Sequence, residues 1–265
     1  MKKRHLVYAI ALIVGMGACA ASAKKQAEAK PDVWKSYNVG TILFEDKAPE
    51  TKGSDIYHRI IPDAESYIKE QARTVLATLY NSPEDSITPV NKIHYTLEDI
   101  EGISAKGGGN GDVTIFYSTR HIEKSFAEND TAKLFFETRG VLLHELTHAY
   151  QLEPQGIGSY GTNRVFWAFI EGMADAVRVA NGGFDGPNAR PKGGNYMDGY
   201  RTAGYFFVWL RDNKDPEFLR KFNRSTLEVV PWSFDGAIKH ILGNEYNIDE
   251  LWHEYQVAVG DVQAQ

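Results

Sequence analysis

The sequence predicts an α+β fold in which a short β region precedes a helix-rich remainder. Residues 93–97 and 113–117 alternate apolar and polar side chains, as half-buried strands do. A further strand is expected at residues 39–44. Later segments carry apolar residues at helical spacing behind polar capping residues. With 43% apolar and 24% charged residues, the chain has the composition of a globular protein that buries a core.

Capping and helix-breaking residues divide most of the chain into helices. Asp63 opens the first helix, which ends by Pro83. Asp130 or Thr131 caps a second helix, which runs to about residue 151, and Asn163 precedes a third, which ends near residue 181. Further helices are expected at residues 198–212, 216–222, 234–242 and 248–257.

The glycine-rich segment at residues 107–111 lies between the two alternating segments. No GK[ST] sequence follows it, and no helix is expected to begin there, so it does not match a phosphate-binding loop. We expect a flexible hairpin connection.

The N-terminus has the pattern of a secretory signal peptide at residues 1–23. A basic start is followed by an apolar run at residues 6–18 and by small residues at the −3 and −1 positions of a cleavage after Ala23. Cys19, the chain's one cysteine, ends that run in a loose lipobox, so lipidation at Cys19 is the alternative. A polar tether is expected at residues 24–36 and a single catalytic domain at residues 37–260.

Both N-terminal alternatives predict an extracytoplasmic protein, either secreted or anchored to the envelope as a lipoprotein. Membrane contact is then expected only through an N-terminal lipid. A single cysteine excludes an intramolecular disulfide and a CxxC metal or redox site. Residues 24–265 contain 26 Lys and Arg against 35 Asp and Glu, so nucleic acid is not an expected partner.

A HExxH motif, from His144 to His148, lies within the second long helix. Residues four apart lie on one helical face with Cβ atoms about 5–6 Å apart, so both imidazoles can bind one metal ion. Glu145 lies one position round the helix and can reach a water molecule without becoming a ligand. This is the zinc metallohydrolase arrangement of two His ligands and a Glu base. The alternative is a pair of surface histidines beside an ion-paired Glu145.

A catalytic zinc ion needs a third protein ligand and one open position. The metzincin motif requires Gly and His where this chain has Gln151 and Pro154, so that class is excluded. Glu171, on the next helix and 23 residues beyond His148, offers a carboxylate. Asp175 shares its face and can accept a proton from the far nitrogen of a ligand His. Two alternatives remain: Asp175 as the ligand with Glu171 in support, or a solvent-facing Glu171 paired with an arginine.

Four segments, in the expected order, resemble the plant and bacterial basic secretory protein family, which is classed among zinc peptidases of the gluzincin type. They are residues 144–151 (HELTHAYQ), 169–178 (FIEGMADAVR), 198–207 (DGYRTAGYFF) and 251–255 (LWHEY). The resemblance extends from about residue 90 to residue 257. The family name implies a basic protein, whereas this chain has a net charge of −6, so the implied charge does not transfer.

The resemblance implies a zincin-like α+β fold with a small sheet, active-site helices and a helical C-terminal portion. It also implies a zinc ion (Zn2+) held by His144, His148 and Glu171, and secretion. Within that site Glu145 is expected to act as general base. A donor must stabilise the oxyanion; Tyr200 is the candidate, with Tyr205 and Tyr160 as alternatives.

The sequence therefore predicts a secreted zinc metallopeptidase that acts on peptide or protein substrates as a monomer. The strand at residues 113–117 is expected to pair with an extended substrate, as edge strands do. Three alternatives stay open. They are a zinc hydrolase of a non-protein substrate, a non-catalytic binding protein on the same fold, and a structural envelope lipoprotein.

Overall fold

The computed structural model describes residues 32–126, 129–184, 186 and 188–263. The predicted signal peptide at residues 1–23, Cys19 and most of the predicted tether at residues 24–36 lie outside the described residues. From Val33 onward, the described residues form one compact unit. No helix in the described ranges is both long and apolar enough to cross a bilayer.

The predicted α+β fold is confirmed, with a small mixed sheet and a helix-rich remainder. The described strands are β1 (Thr41–Asp46), β2 (Lys92–Glu98), β3 (Ser104–Gly109) and β4 (Asp112–Ser118). The described α-helices are α1 (Lys52–Ile60), α2 (Ala64–Leu79), α3 (Thr119–Ser125), α4 (Thr131–Tyr150), α5 (Arg164–Ala180), α6 (Tyr200–Asn213), α7 (Phe218–Glu228), α8 (Phe234–Leu242) and α9 (Ile248–Ala258).

The sheet has the strand order β1-β2-β4-β3. β1, β2 and β4 are parallel, and β3 joins the side of β4 in the antiparallel sense. The expectation that residues 113–117 form an edge strand is therefore wrong, because β4 is hydrogen-bonded on both sides. β3 is the edge strand at this end of the sheet, and helix α4 lies against it.

The prediction of a flexible connection at residues 107–111 is wrong for its first three residues. Residues 107–109 belong to β3, and only Asn110 and Gly111 form the turn, both with positive φ. Pairing with β4 orders this segment although it lacks the apolar alternation of a typical strand. Gly108 (φ +84°) is required here, because a Cβ atom would lie 2.1 Å from the Asp112 carbonyl oxygen.

Most of the predicted helices agree with the structure to within two residues. Helices α1 and α3 were not predicted. Helix α6 begins at Tyr200 because Asp198 instead ends a short 3-10 helix, Tyr196–Asp198, that is closed by reciprocal capping with Asn195. Helix α7 begins at Phe218 and extends six residues beyond the predicted end.

Helices α5 and α6 pack at close range because small residues line their contact. A Cβ atom on Gly172 would lie 2.7 Å from both Ala203 and Phe207, and one on Gly204 would lie 2.9 Å from the α5 backbone. This approach brings the first turn of α6 over the middle of α5. Behind the two helices lies an aromatic cluster of Phe169, Phe207, Phe222, Trp232 and Phe234.

Candidate metal centre

Helices α4 and α5 begin at side-chain caps that fix their first turns. Asp130 accepts a hydrogen bond from the Lys133 backbone nitrogen at 2.9 Å, and Asn163 accepts bonds from the nitrogens of Val165 and Phe166. Such caps satisfy backbone N–H groups that have no partner within the helix. The two helices pack against each other. The predicted histidine ligands on α4 are therefore opposite the carboxylates on α5.

The structure brings His144, His148 and Glu171 together as a candidate metal site. The two Nε2 atoms are 3.0 Å apart, and Oε2 of Glu171 lies 3.3 Å from Nε2 of His144 and 3.6 Å from Nε2 of His148. Ligand atoms about 2.1 Å from a tetrahedral zinc ion are separated by about 3.4 Å. The triangle therefore has the dimensions of a zinc site with a fourth position open.

Glu171 presents a single oxygen to this triangle. Its Oε1 atom accepts a hydrogen bond from the Tyr160 hydroxyl at 2.6 Å, whereas Oε2 is buried and accepts no hydrogen bond from the described residues. Burial raises the carboxyl pKa, but contacts with His144 and His148 outweigh burial and hold it well below its usual range. A buried, charged oxygen without a hydrogen-bond donor is costly, and a bound cation removes that cost. The residues present thus fit a divalent metal ion.

Asp175 holds the opposite side of the His144 ring. The Nδ1–H group of His144 donates to Oδ1 of Asp175 at 2.7 Å, which leaves Nε2 facing the triangle. Burial lowers the pKa of the ring, but the nearby carboxylates of Asp175 and Glu171 outweigh burial and raise the pKa to about 10. The alternative in which Asp175 is the ligand does not match this geometry. The surroundings of His144 strongly favour a positive charge.

His148 has a corresponding neighbour that the sequence prediction missed. The side-chain amide of Gln151 lies 2.8 Å from Nδ1 of His148, and only 4% of Gln151 is exposed. Gln151 follows α4 directly and is three positions beyond His148, so helical spacing already brings it within reach.

Glu145 lies in the cleft wall beside the triangle. It is 6% exposed, and its carboxylate makes no hydrogen bond or ion pair with the described residues. A buried carboxylate of this kind, with no structural partner and facing a cleft, is free to exchange protons with a bound molecule.

The three candidate tyrosines have different positions. Tyr200 lines the cleft, and its ring stacks on His144 with centroids 6.1 Å apart. Tyr160 lines the cleft and bonds to Glu171. The hydroxyl of Tyr205 instead donates to the carbonyl oxygen of Phe184, and Tyr205 does not line the cleft. Tyr205 is therefore not positioned as an oxyanion donor.

Tyr200 adopts an uncommon backbone conformation. Its φ of +42° lies in the left-handed region, which non-glycine residues seldom occupy. The preceding Gly199 allows the chain to pass over α5, because a Cβ atom there would lie 2.8 Å from Trp167 and 3.3 Å from Glu171. Burial and the carboxylates of Glu171 and Asp175 raise the pKa of the Tyr200 hydroxyl, which keeps its proton at neutral pH.

The cleft around these residues has a volume of about 760 Å³, a size that accommodates a short peptide segment. Residues 103–106, which include the start of β3, form one wall. Val141, Phe166 and Ile170 add apolar surface, and the ion pair between Glu137 and Arg178 also lines the cleft.

A family model described as a peptidase of plants and bacteria matches residues 39–255. The matched region includes the sheet, both helices of the candidate metal centre and all helices up to most of α9. No match was found among curated proteins or among solved structures.

Proposed function

The chain belongs to the family of peptidases of plants and bacteria, and from that membership we propose that it is a zinc-dependent peptidase exported from the cytoplasm. Peptides or proteins are its substrates. The observation that carries the proposal is the convergence of His144, His148 and Glu171 on one point of an open cleft, with Glu145 beside them.

The donor set supports zinc over other common divalent ions. Calcium and magnesium prefer oxygen ligands, whereas two imidazole nitrogens and one carboxylate oxygen form a donor set found in catalytic zinc sites. His144, His148 and Glu171 would hold the ion. When bound, zinc supplies Lewis acidity, which polarises a carbonyl group and lowers the pKa of water towards about 7.

Glu145 is the proposed general base. Its carboxylate, which has no partner among the described residues, accepts the proton of the attacking water as the new C–O bond to the peptide carbonyl carbon forms. It then delivers that proton to the leaving amine as the C–N bond breaks. Its low exposure keeps bulk water from competing for the proton.

Tyr200 is the proposed donor to the developing oxyanion. Its hydroxyl is protonated, lies at the cleft and makes no hydrogen bond to the described residues. The stacking on His144 and the glycine at position 199 hold the ring in place before substrate arrives. Donors fixed in this way stabilise transition-state charge without a reorganisation cost. Tyr160 has a different proposed role, which is to orient Glu171.

The edge strand β3 is the proposed docking surface for the substrate backbone. It borders the cleft, and the side away from β4 has no strand partner among the described residues. An extended peptide could add to this edge through main-chain hydrogen bonds, which are independent of sequence. We therefore propose that β3, and not the strand at residues 113–117, pairs with an extended substrate.

Export remains part of the proposal and is supported by the leader pattern at residues 1–23. The mature chain would begin after Ala23 or, as a lipoprotein, at Cys19. N-terminal sequencing of the processed protein, together with fractionation of the producing cells, distinguishes these cases. An unprocessed chain in the cytosol would contradict export.

Casein digestion by the purified mature chain tests the enzymatic proposal. We expect one zinc ion per chain, loss of digestion on treatment with a chelator, and recovery when zinc is restored. Glu145→Gln should keep the zinc and lower kcat by about 10²-fold or more. Glu153→Gln, an exposed carboxylate at the cleft, is the matched control and should digest casein normally. Full digestion in the presence of chelator would contradict the proposal.

A further inference from the structure

His148 can bind a metal ion through Nε2 only if its proton is on Nδ1. A neutral imidazole carries one proton, and the nitrogen without it is the ligand. His144 has Asp175 to accept its Nδ1–H group, but among the described residues no carboxylate takes that place for His148. The group at 2.8 Å from Nδ1 of His148 is the side-chain amide of Gln151.

A side-chain amide has one end that donates and one end that accepts. If the nitrogen of Gln151 faces His148, it donates to Nδ1 and places the ring proton on Nε2, where it blocks the metal site. If the oxygen faces His148, it accepts the Nδ1–H group and leaves Nε2 free. The two orientations differ by a half-turn about the terminal bond of the side chain.

In the structure the nitrogen end of the Gln151 amide lies 2.8 Å from Nδ1 of His148, so metal binding through Nε2 requires the half-turn to the second orientation. The far end of the Gln151 amide is buried without a hydrogen-bond partner, so the contact with His148 alone determines which end faces the ring. We propose that Gln151 is a positioning residue for the metal centre, whose carbonyl oxygen accepts the Nδ1–H group of His148. This inference rests on the proposed zinc site.

The chain around Gln151 is held in place, as a positioning role requires. Its backbone nitrogen donates to the carbonyl oxygen of Thr147 at 2.8 Å, and its carbonyl oxygen accepts from the hydroxyl of Thr88 at 3.2 Å. The next residue, Leu152, donates to the buried side chain of Asn223 at 2.9 Å. The end of α4 is therefore fixed from two sides, and Gln151 turns back over the last turn towards His148.

Two substitutions at position 151 separate this role from simple packing. Gln151→Met fills a similar volume but cannot accept the proton, so zinc affinity should fall about 10–100-fold, as it does when such partners are removed. Gln151→Glu can only accept, so its affinity should equal or exceed that of the wild type. Gln155→Met is the matched control, because Gln155 is exposed and its side chain bonds only to the carbonyl oxygen of Glu153.

Zinc affinity would be measured by competition with a chromophoric chelator, and the tautomer of His148 by ¹⁵N NMR of the zinc-loaded wild type. The proposal expects a protonated Nδ1, a loss of zinc affinity in Gln151→Met and no loss in Gln151→Glu. Equal affinities of Gln151→Met and Gln155→Met, or equal losses in Gln151→Met and Gln151→Glu, would overturn the role of Gln151 alone. A wild-type chain that binds no zinc would overturn the proposed function as well. The NMR measurement needs no variant, so it tests whether Nδ1 of His148 is protonated even if Gln151→Met fails to fold.

Discussion

Asp175 on α5 and His144 on α4 are joined by a hydrogen bond of 2.7 Å between Oδ1 and Nδ1. Glu171 lies one turn before Asp175, so a single face of α5 supplies both an oxygen for the metal triangle and the support for one of its histidines. Because Asp175 is 3% exposed, water cannot replace this contact. The contact makes His144 the more firmly oriented of the two histidines.

Asp175→Asn should lower zinc affinity by about 10–100-fold, because the amide can donate to Nδ1 and so favour the wrong tautomer of His144. The affinity is measured by chelator competition at fixed pH. Asp212→Asn is the control, since Asp212 is exposed and pairs only with its neighbour Arg211. Unchanged affinity in Asp175→Asn would mean that His144 keeps its ligand tautomer without help.

Tyr200→Phe and Tyr160→Phe should affect different quantities. Loss of the Tyr200 hydroxyl removes a transition-state donor, so kcat should fall about 10²–10³-fold while KM and zinc content change little. Loss of the Tyr160 hydroxyl frees Oε1 of Glu171, so zinc affinity should fall instead. Kinetics at saturating zinc and a separate zinc titration measure the two effects.

Tyr205→Phe serves as the comparison for both variants, because its hydroxyl bonds to the Phe184 carbonyl oxygen away from the metal triangle. It should retain both kcat and zinc affinity. A loss of kcat in Tyr160→Phe at saturating zinc, with none in Tyr200→Phe, would transfer the oxyanion role to Tyr160.

The elements that carry the candidate site were predictable because their signals are local. Asp130 and Asn163 mark the helix starts, and the four-residue spacing of His144 and His148 fixes their shared face on any helix. Glu171 could be inferred from the need for a third ligand on a following helix. The contact of Gln151 with His148 is also local, but a glutamine three positions beyond a histidine has no meaning until the histidine is known to be a ligand.

The parts that escaped prediction depend on partners far apart in the chain. Residues 104–109 (SAKGGG) form a strand only because β4 offers a free side, and their composition alone favours a turn. β4 lies inside the sheet because the chain topology places β2 and β1 on the side of β4 that faces away from β3. The contact between Tyr160 and Glu171 depends on the path of a loop. In each case tertiary pairing outweighs local preference.

Gly172→Ala should destabilise the fold, although alanine is the better helix former. The added Cβ atom would lie 2.7 Å from Ala203 and Phe207, so α6 must shift or strain. We expect a loss of about 1–3 kcal/mol in the free energy of unfolding, measured by urea denaturation. Gly161→Ala is the matched control, because a Cβ atom there meets nothing within 4 Å. Equal stability of the two variants would mean that α5 and α6 do not depend on this close approach.

Glu137→Gln should reveal a pH-dependent contribution to stability from the ion pair with Arg178 that lines the cleft. Glu137 accepts from Arg178 at 2.6 Å and contacts His121 at 3.1 Å. Burial raises the pKa of Glu137, but His121 and Arg178 outweigh burial and lower it. A carboxyl group whose pKa is lower in the folded state stabilises the protein above its unfolded pKa of about 4.3, and that contribution is lost as the pH falls through the folded pKa.

At pH 5.5 to 7, Glu137→Gln should therefore unfold with about 1–3 kcal/mol less free energy than the wild type, because it leaves the buried Arg178 without its charged partner. The difference should shrink as the pH falls from about 4.3 through the lowered pKa of folded Glu137, below which the wild-type carboxyl is also neutral. Urea denaturation at each pH measures it. Glu101→Gln removes an exposed partner of Arg120 and should change stability little at any pH. A difference that persists undiminished at pH 3 would assign the loss to the shape of the side chain and not to its charge.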